Sequence, residues 1–88
     1  MRKYESEGKY TVRNLVKNKA IALELAEIYV KNRYGQDAAE EEKPYEITDL
    51  TTSWVVEGTI HSDQIAGGVL IIEIGKNDGR ILNFGHGK

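Results

Sequence analysis

The chain has 88 residues, of which 40% are hydrophobic, and its formal net charge is −2. This composition is typical of a folded domain and provides no basic field for binding nucleic acid. The absence of cysteine excludes disulfides and thiolate metal sites, and no apolar run reaches the roughly 18 residues of a membrane span.

The first residues carry no apolar segment of the kind found in secretory signals. As the sequence stands we expect a cytoplasmic protein, or a periplasmic one if an export signal has been removed upstream. Residues 1–9 are charged and hold few apolar groups, so we expect a flexible N-terminal segment there and a single domain over residues 10–88.

After an extended lead-in at residues 10–16, the first regular element is a predicted helix over residues 20–34. Asn18 is a suitable N-cap, and Gly35 suits the position after the last turn. The apolar arc predicted to face a sheet consists of Ala22, Ile21, Leu25, Ile28 and Tyr29. Leu23 and Val30 lie off this arc, so either the lead-in or the loop at 36–44 covers them, or a partner does.

An acidic segment follows the helix and ends at Pro44. Its four carboxylates belong to Asp37, Glu40, Glu41 and Glu42, and Asp37 is also a candidate cap for a single helical turn. A charge run of this kind is typical of a solvated connector. It is also compatible with docking a basic protein, because a patch of one sign attracts the opposite sign.

Four strands are predicted, over residues 45–50, 54–60, 67–75 and 80–84. Gly58 within the second strand indicates a bulge or a close approach of the helix. The third strand is apolar at nearly every position, so we expect it to be central and covered on both faces.

Asp78-Gly79 predicts a tight antiparallel hairpin between the last two strands, and residues 85–88 are expected to form a flexible tail. The predicted fold class is therefore α+β, with one long helix packed on a four-stranded antiparallel meander sheet.

The residues show no catalytic constellation. The two histidines, His61 and His86, lack metal-ligand spacing, so neither a metal site nor a cofactor is predicted. Glu57 and Glu73 would share a proton if they faced each other across neighbouring strands. The alternation of the second strand instead turns Glu57 towards water, and Glu73 is placed beside a lysine or arginine in that reading. We therefore predict that the chain is not an enzyme.

Several short motifs occur in a characteristic order over residues 10–88. They are Tyr34-Gly35, Lys43-Pro44-Tyr45, Trp54-Val55-Val56-Glu57-Gly58, Gly67-Gly68-Val69, Asp78-Gly79 and His86-Gly87-Lys88. In this order they resemble a family of short bacterial immunity proteins. The fold of that family is nuclear-transport-factor-two-like (NTF2-like), or cystatin-like, and its members occur beside polymorphic and Rhs-type toxins.

The resemblance implies an immunity protein that binds and neutralises a cognate toxin through a stoichiometric protein–protein interaction. The acidic segment would suit a basic, nuclease-type toxin. The candidate partner-binding residues are Asp37, Glu40, Glu41, Glu42, Glu57, Glu73 and His86. A homodimer formed through a sheet edge or the helix face is a further possibility.

Two other classes of protein remain open. A PepSY-like module, which regulates proteases or binds a ligand, also joins a helix to strands and a hairpin of this type. An isomerase-like enzyme needs a pocket of some 300 Å³ or more, for which one helix and four strands offer little volume.

Overall fold

The computed structural model describes residues 13–59 and 69–87. The elements are α1 (Lys19–Tyr34), α2 (Gln36–Glu41), β1 (Glu46–Asp49), β2 (Ser53–Glu57), β3 (Val69–Gly75) and β4 (Ile81–Gly87). The predicted N-terminal segment at 1–9, the end of the predicted second strand at Ile60 and the connection at 61–68 lie outside the described residues.

The strands form one sheet in the order β1-β2-β3-β4, and each neighbouring pair is antiparallel. This is the predicted meander, with β3 inside the sheet and β1 and β4 at its edges. The α+β fold class is confirmed.

The limits of α1 follow from its caps. The Asn18 side chain accepts a hydrogen bond from the Ile21 amide at 2.9 Å, and Gly35 has φ 102° while its amide donates to the Lys31 carbonyl. Glycine adopts this positive φ without the steric cost that a Cβ brings. Both predicted helix ends are confirmed.

The buried face of α1 differs from the predicted arc. Its buried residues are Ala22, Ala26 and Val30, whereas Ile28 is 49% exposed, so its placement on the sheet was wrong. Alanines bring the helix backbone close to the sheet, and flanking side chains such as Leu25 and Tyr29 close the sides of the contact. Val30 is covered by α2, because it clusters with Ala39 and Leu70.

The single helical turn expected near Asp37 is a six-residue helix, α2, which adds a second helix to the predicted one-helix architecture. Asp37 was predicted as its cap, but Gly35 occupies that position without any side-chain cap, and Asp37 lies within the first turn. The Tyr45 hydroxyl donates to the Ala39 carbonyl at 2.7 Å and ties α2 to the start of β1. The Lys43–Pro44 peptide between them is cis.

Burial alternates along β3 despite its continuous apolar sequence. Leu70, Ile72 and Ile74 are buried towards the helices, whereas Val69 and Ile71 on the other side are only partly buried. The prediction that β3 is the central strand is correct in position, but the described residues cover only one of its faces.

The main core lies between α1, β2 and β3, and a strap formed by residues 14–16 closes it. The strap pairs with the β3–β4 turn, because the Leu15 and Val16 amides donate to the carbonyls of Asn77 and Lys76, both at 3.0 Å. Trp54 is 5% exposed, and its indole N–H donates to the Val16 carbonyl at 2.8 Å. Val16, at the end of the predicted lead-in, is therefore part of the core.

The hairpin between β3 and β4 is confirmed, with Gly79 at φ 77° after the turn. Its second strand is longer than predicted. Residues 85–87 were expected to be a flexible tail, but they pair with β3, with Gly85 opposite Ile71 and Gly87 opposite Val69. Backbone hydrogen bonds between strands do not require large side chains. The glycine-rich sequence therefore gave no indication that these residues form a strand.

Candidate functional site

Both described helices pack on the sheet side that carries Trp54, Val56 and Ile72. The opposite side is termed the open face. Two rows of residues cross the four strands on this face. One row consists of Thr48, Val55, Glu73 and Asn83, and the other of Glu46, Glu57, Ile71 and Gly85.

The two rows of the open face carry negative charge. Their charged residues are Glu46, Glu57 and Glu73, and the two rows contain no lysine or arginine. Glu46 and Glu57 are directly opposite each other, an arrangement that destabilises a sheet through like-charge repulsion. Neither forms an ion pair within the described residues. A basic partner would relieve this repulsion.

Glu73 is held in place by two donors. The Ser53 hydroxyl and the Asn83 side-chain amide each donate to one of its carboxylate oxygens at 2.7 Å. These hydrogen bonds, with the one from Ser53 the stronger cause, hold the pKa of Glu73 below its ordinary value. Glu73 is therefore ionised at neutral pH.

Glu57 and Glu73 do not face each other, so the arrangement that proton sharing would need is not present. Glu57 lies opposite Ile71 and Glu73 lies opposite Val55, so the two carboxylates are diagonal neighbours. A shared proton would raise a carboxyl pKa, whereas that of Glu73 is lowered. Its partners are Ser53 and Asn83 in place of the expected lysine or arginine.

We expect Ser53→Ala to raise the pKa of Glu73 towards its ordinary value, because the larger of the two causes of the depression is removed. A depressed carboxyl pKa stabilises the fold above the unfolded-state pKa, and this contribution is lost as pH falls through the folded-state pKa. Ser53→Ala should therefore cost more stability at neutral pH than at strongly acidic pH. Carboxyl ¹³C shifts followed against pH test this, with Thr52→Ala as control. An unshifted Glu73 titration would contradict it.

A shallow groove of about 220 Å³ lies where the open face meets the edge strand β4. It is lined by Ile71, Asn83, Phe84, Gly85 and His86. A Cβ added at Gly85 would meet no atom within 4 Å, so the missing side chain leaves space above the strand.

The acidic segment does not join the open face, because α2 packs on the helix side of the sheet through Ala39. Asp37, Glu40 and Glu41 are exposed. Glu40 pairs with Lys43 at 3.1 Å, and Lys43 also reaches Glu27 at 3.3 Å. The hydrogen bonds to these two carboxylates, Glu40 first, raise the pKa of Lys43.

Glu42 is turned inwards to the sheet. Its carboxylate accepts a hydrogen bond from the Leu70 amide at 3.2 Å, and its carbonyl accepts from Thr59 at 2.8 Å. Gly58 leaves the space for this side chain, since a Cβ there would overlap it. The close approach predicted at Gly58 is therefore made by Glu42 and not by the long helix.

His86 lies on the helix side of β4, opposite Leu70. Its ring centroid is 5.3 Å from that of Tyr34 in an edge-on contact. The predicted site residues thus fall into three places: the acidic segment, the open face with Glu57 and Glu73, and this aromatic contact.

Sequence reasoning missed the residues that shape the open face. Glu46 was identifiable from the short β1–β2 loop, because its length sets Glu46 opposite Glu57. Ser53 lay between the predicted strands at 45–50 and 54–60, and Gly85 lay in the predicted tail. No local signal therefore placed them beside Glu73 and Ile71.

Within residues 13–59 and 69–87, no group of three or more histidine or acidic side chains is placed to hold a metal ion. Neither described helix is long and apolar enough to cross a membrane.

A family model described as NTF2 fold immunity protein matches residues 21–88. The relatives include the uncharacterized protein YhhH of Escherichia coli (strain K12), which is 98% identical over 88 residues covering 100% of this chain and 69% of YhhH. YbbC of the same strain is 59% identical over 80 residues, covering 91% of this chain and 66% of YbbC. The chain thus spans about two thirds of the length of each relative. No solved structure matches it.

Proposed function

The chain belongs to the NTF2 fold immunity protein family, and from this premise we propose that it neutralises a cognate toxin by binding it in a stoichiometric complex. The observation that carries the proposal is the family match over residues 21–88. Inhibition by binding requires a complementary surface and no nucleophile or metal.

The charge of the described surface supports a basic partner, such as a toxin of the nuclease type from a polymorphic or Rhs-type system. Glu46 and Glu57 lack cationic partners within the described ranges, and Asp37 and Glu41 are exposed on α2. Negative surfaces accelerate association with a positively charged protein and disfavour acidic competitors.

The test is co-expression of the chain with candidate toxin domains in a bacterial growth assay, followed by purification of the complex. Growth rescue together with an equimolar complex supports the proposal. Rescue without a complex, or failure to rescue growth from any toxin encoded beside genes of this family, would overturn it.

Charge reversal tests the acidic segment. We expect Glu41→Lys to slow association with the toxin and to flatten its salt dependence, while dissociation changes little, because exposed charges act mainly on the encounter. Stopped-flow association rates at two salt concentrations measure this. Glu24→Lys makes the same charge change on an exposed position of α1. If both variants slow association equally, the association rate depends on net charge, and the acidic segment is not part of the interface.

A further inference from the structure

The groove above Gly85 is lined by Ile71, Asn83, Phe84, Gly85 and His86, and Glu57 and Glu73 lie at neighbouring positions of the open face. Ile71 lies between Gly85 on β4 and Glu57 on β2, and Glu73 follows it two residues later on the same face. Diagonal cross-strand neighbours such as Glu57 and Glu73 lie about 7–8 Å apart.

The size of the groove favours a single side chain. Its volume of about 220 Å³ is below the roughly 300 Å³ at which pockets for small-molecule ligands begin. It lies on a sheet face that neither described helix covers, so among the described elements none blocks a side chain projecting from a protein surface.

The carboxylates beside the groove favour a cationic side chain of the partner over an aromatic or aliphatic one. An aromatic or aliphatic anchor would cover Glu57 without pairing it, and a buried, unpaired carboxylate is costly. An arginine lays its aliphatic stem on an apolar surface and offers five N–H donors in a planar fork, which suits two carboxylates better than the point charge of lysine.

We propose that this groove receives an arginine side chain of the toxin, with its stem on Ile71 above Gly85 and its guanidinium bound by Glu57 and Glu73. The proposal rests on the proposed function and names the partner chemistry of the open face. Arginine is among the residues enriched at the energetic centres of protein interfaces.

The carboxylate of Glu73 is held in a fixed position before a partner binds. Each of its oxygens accepts one hydrogen bond, from Ser53 or Asn83, while a carboxylate offers about four acceptor positions. The two internal bonds fix the carboxylate before the partner arrives, and such preorganisation lowers the entropy cost of binding. Glu57 has no ion pair within the described residues and supplies the second, uncompensated charge.

A second groove of the same volume provides a contrast. It lies at the β3–β4 turn, and its lining includes both Asp78 and Arg80. Its charges compensate each other, so it offers no comparable preference for a cation.

The first experiment uses ¹⁵N-labelled protein titrated with N-acetyl-arginine amide, and N-acetyl-citrulline amide as the neutral probe of the same shape. We expect arginine to shift the amides of Ile71 and Gly85, and citrulline to shift them far less. A Cβ at residue 85 meets no atom within 4 Å, so we expect Gly85→Leu to occupy the groove and abolish the response. Should Gly85→Leu fail to fold, Glu57→Gln replaces it and should weaken the response several-fold. Equal shifts with both probes, or shifts elsewhere, would overturn the proposal.

The second experiment measures toxin affinity and separates the two proposals. Gly85→Leu should raise the Kd by at least about thirtyfold, the effect expected of an interface hot spot. Lys31→Leu, which adds similar apolar bulk on an exposed position of α1, should leave the Kd unchanged. A wild-type protein that binds no toxin overturns the proposed function, whereas normal binding by Gly85→Leu overturns only the arginine site.

Discussion

Trp54→Ala should destabilise the fold by about 3–5 kcal/mol. The indole is 5% exposed and belongs to the main core cluster, so its loss leaves a large cavity. The substitution also leaves the Val16 carbonyl without the indole donor. Urea unfolding followed by circular dichroism measures the effect, since the only tryptophan is removed.

Trp54→Phe separates the loss of buried volume from the loss of the hydrogen bond to Val16. The phenyl ring keeps much of the buried volume but cannot donate to Val16, so we expect a smaller loss than for alanine. A wild-type unfolding midpoint for Trp54→Ala would show that the indole does not support the core, and would make it a candidate for partner contact.

Gly58→Ala should destabilise the fold by about 1–3 kcal/mol, the usual cost of overpacking a closely packed position. A Cβ at residue 58 would lie 2.9 Å from the Glu42 Cβ and would overlap its carboxylate. Glu42 must then move and release the Leu70 amide. Thermal or urea unfolding of the variant measures the loss.

Gly85→Ala is the matched control for Gly58→Ala, because its Cβ meets nothing within 4 Å. We expect its stability to equal or slightly exceed that of the wild type, since glycine weakens a strand. In a Glu42→Ala background the cost of Gly58→Ala should shrink, because the overlapping carboxylate is gone. An undiminished cost there would place the strain in the backbone.

Local signals in the sequence were sufficient for the parts of the fold that depend on neighbours in the chain. Asn18 and Gly35 gave the helix ends, and Asp78-Gly79 gave the hairpin. These features depend on capping and turn chemistry over a few residues, which the sequence displays directly.

Features set by distant residues were not predictable in the same way. Ile28 is apolar yet exposed, because close packing is made by Ala22 and Ala26 on another side of the helix. Glu42 appeared to belong to a charged surface, but its partner is the Leu70 amide, 28 residues away.

The candidate site was predicted only in part for the same reason. Glu57 and Glu73 were identified as single residues, whereas their setting depends on the register of four strands. Gly85 has no side chain that the sequence could mark as a binding residue, and it contributes to the site by leaving open space above the strand.

The strap at residues 14–16 has a consequence for the order of folding. Its contacts with Lys76 and Asn77 span about 60 residues, while each described hairpin closes over a few. Long-range contacts form only after the entropy of closing a large loop has been overcome. During synthesis on the ribosome, the strap emerges before the β3–β4 hairpin. Its contacts with Lys76 and Asn77 can therefore form only after that hairpin has been synthesised. We therefore expect the indole of Trp54 to report the final step of folding, when the Val16 carbonyl docks against it.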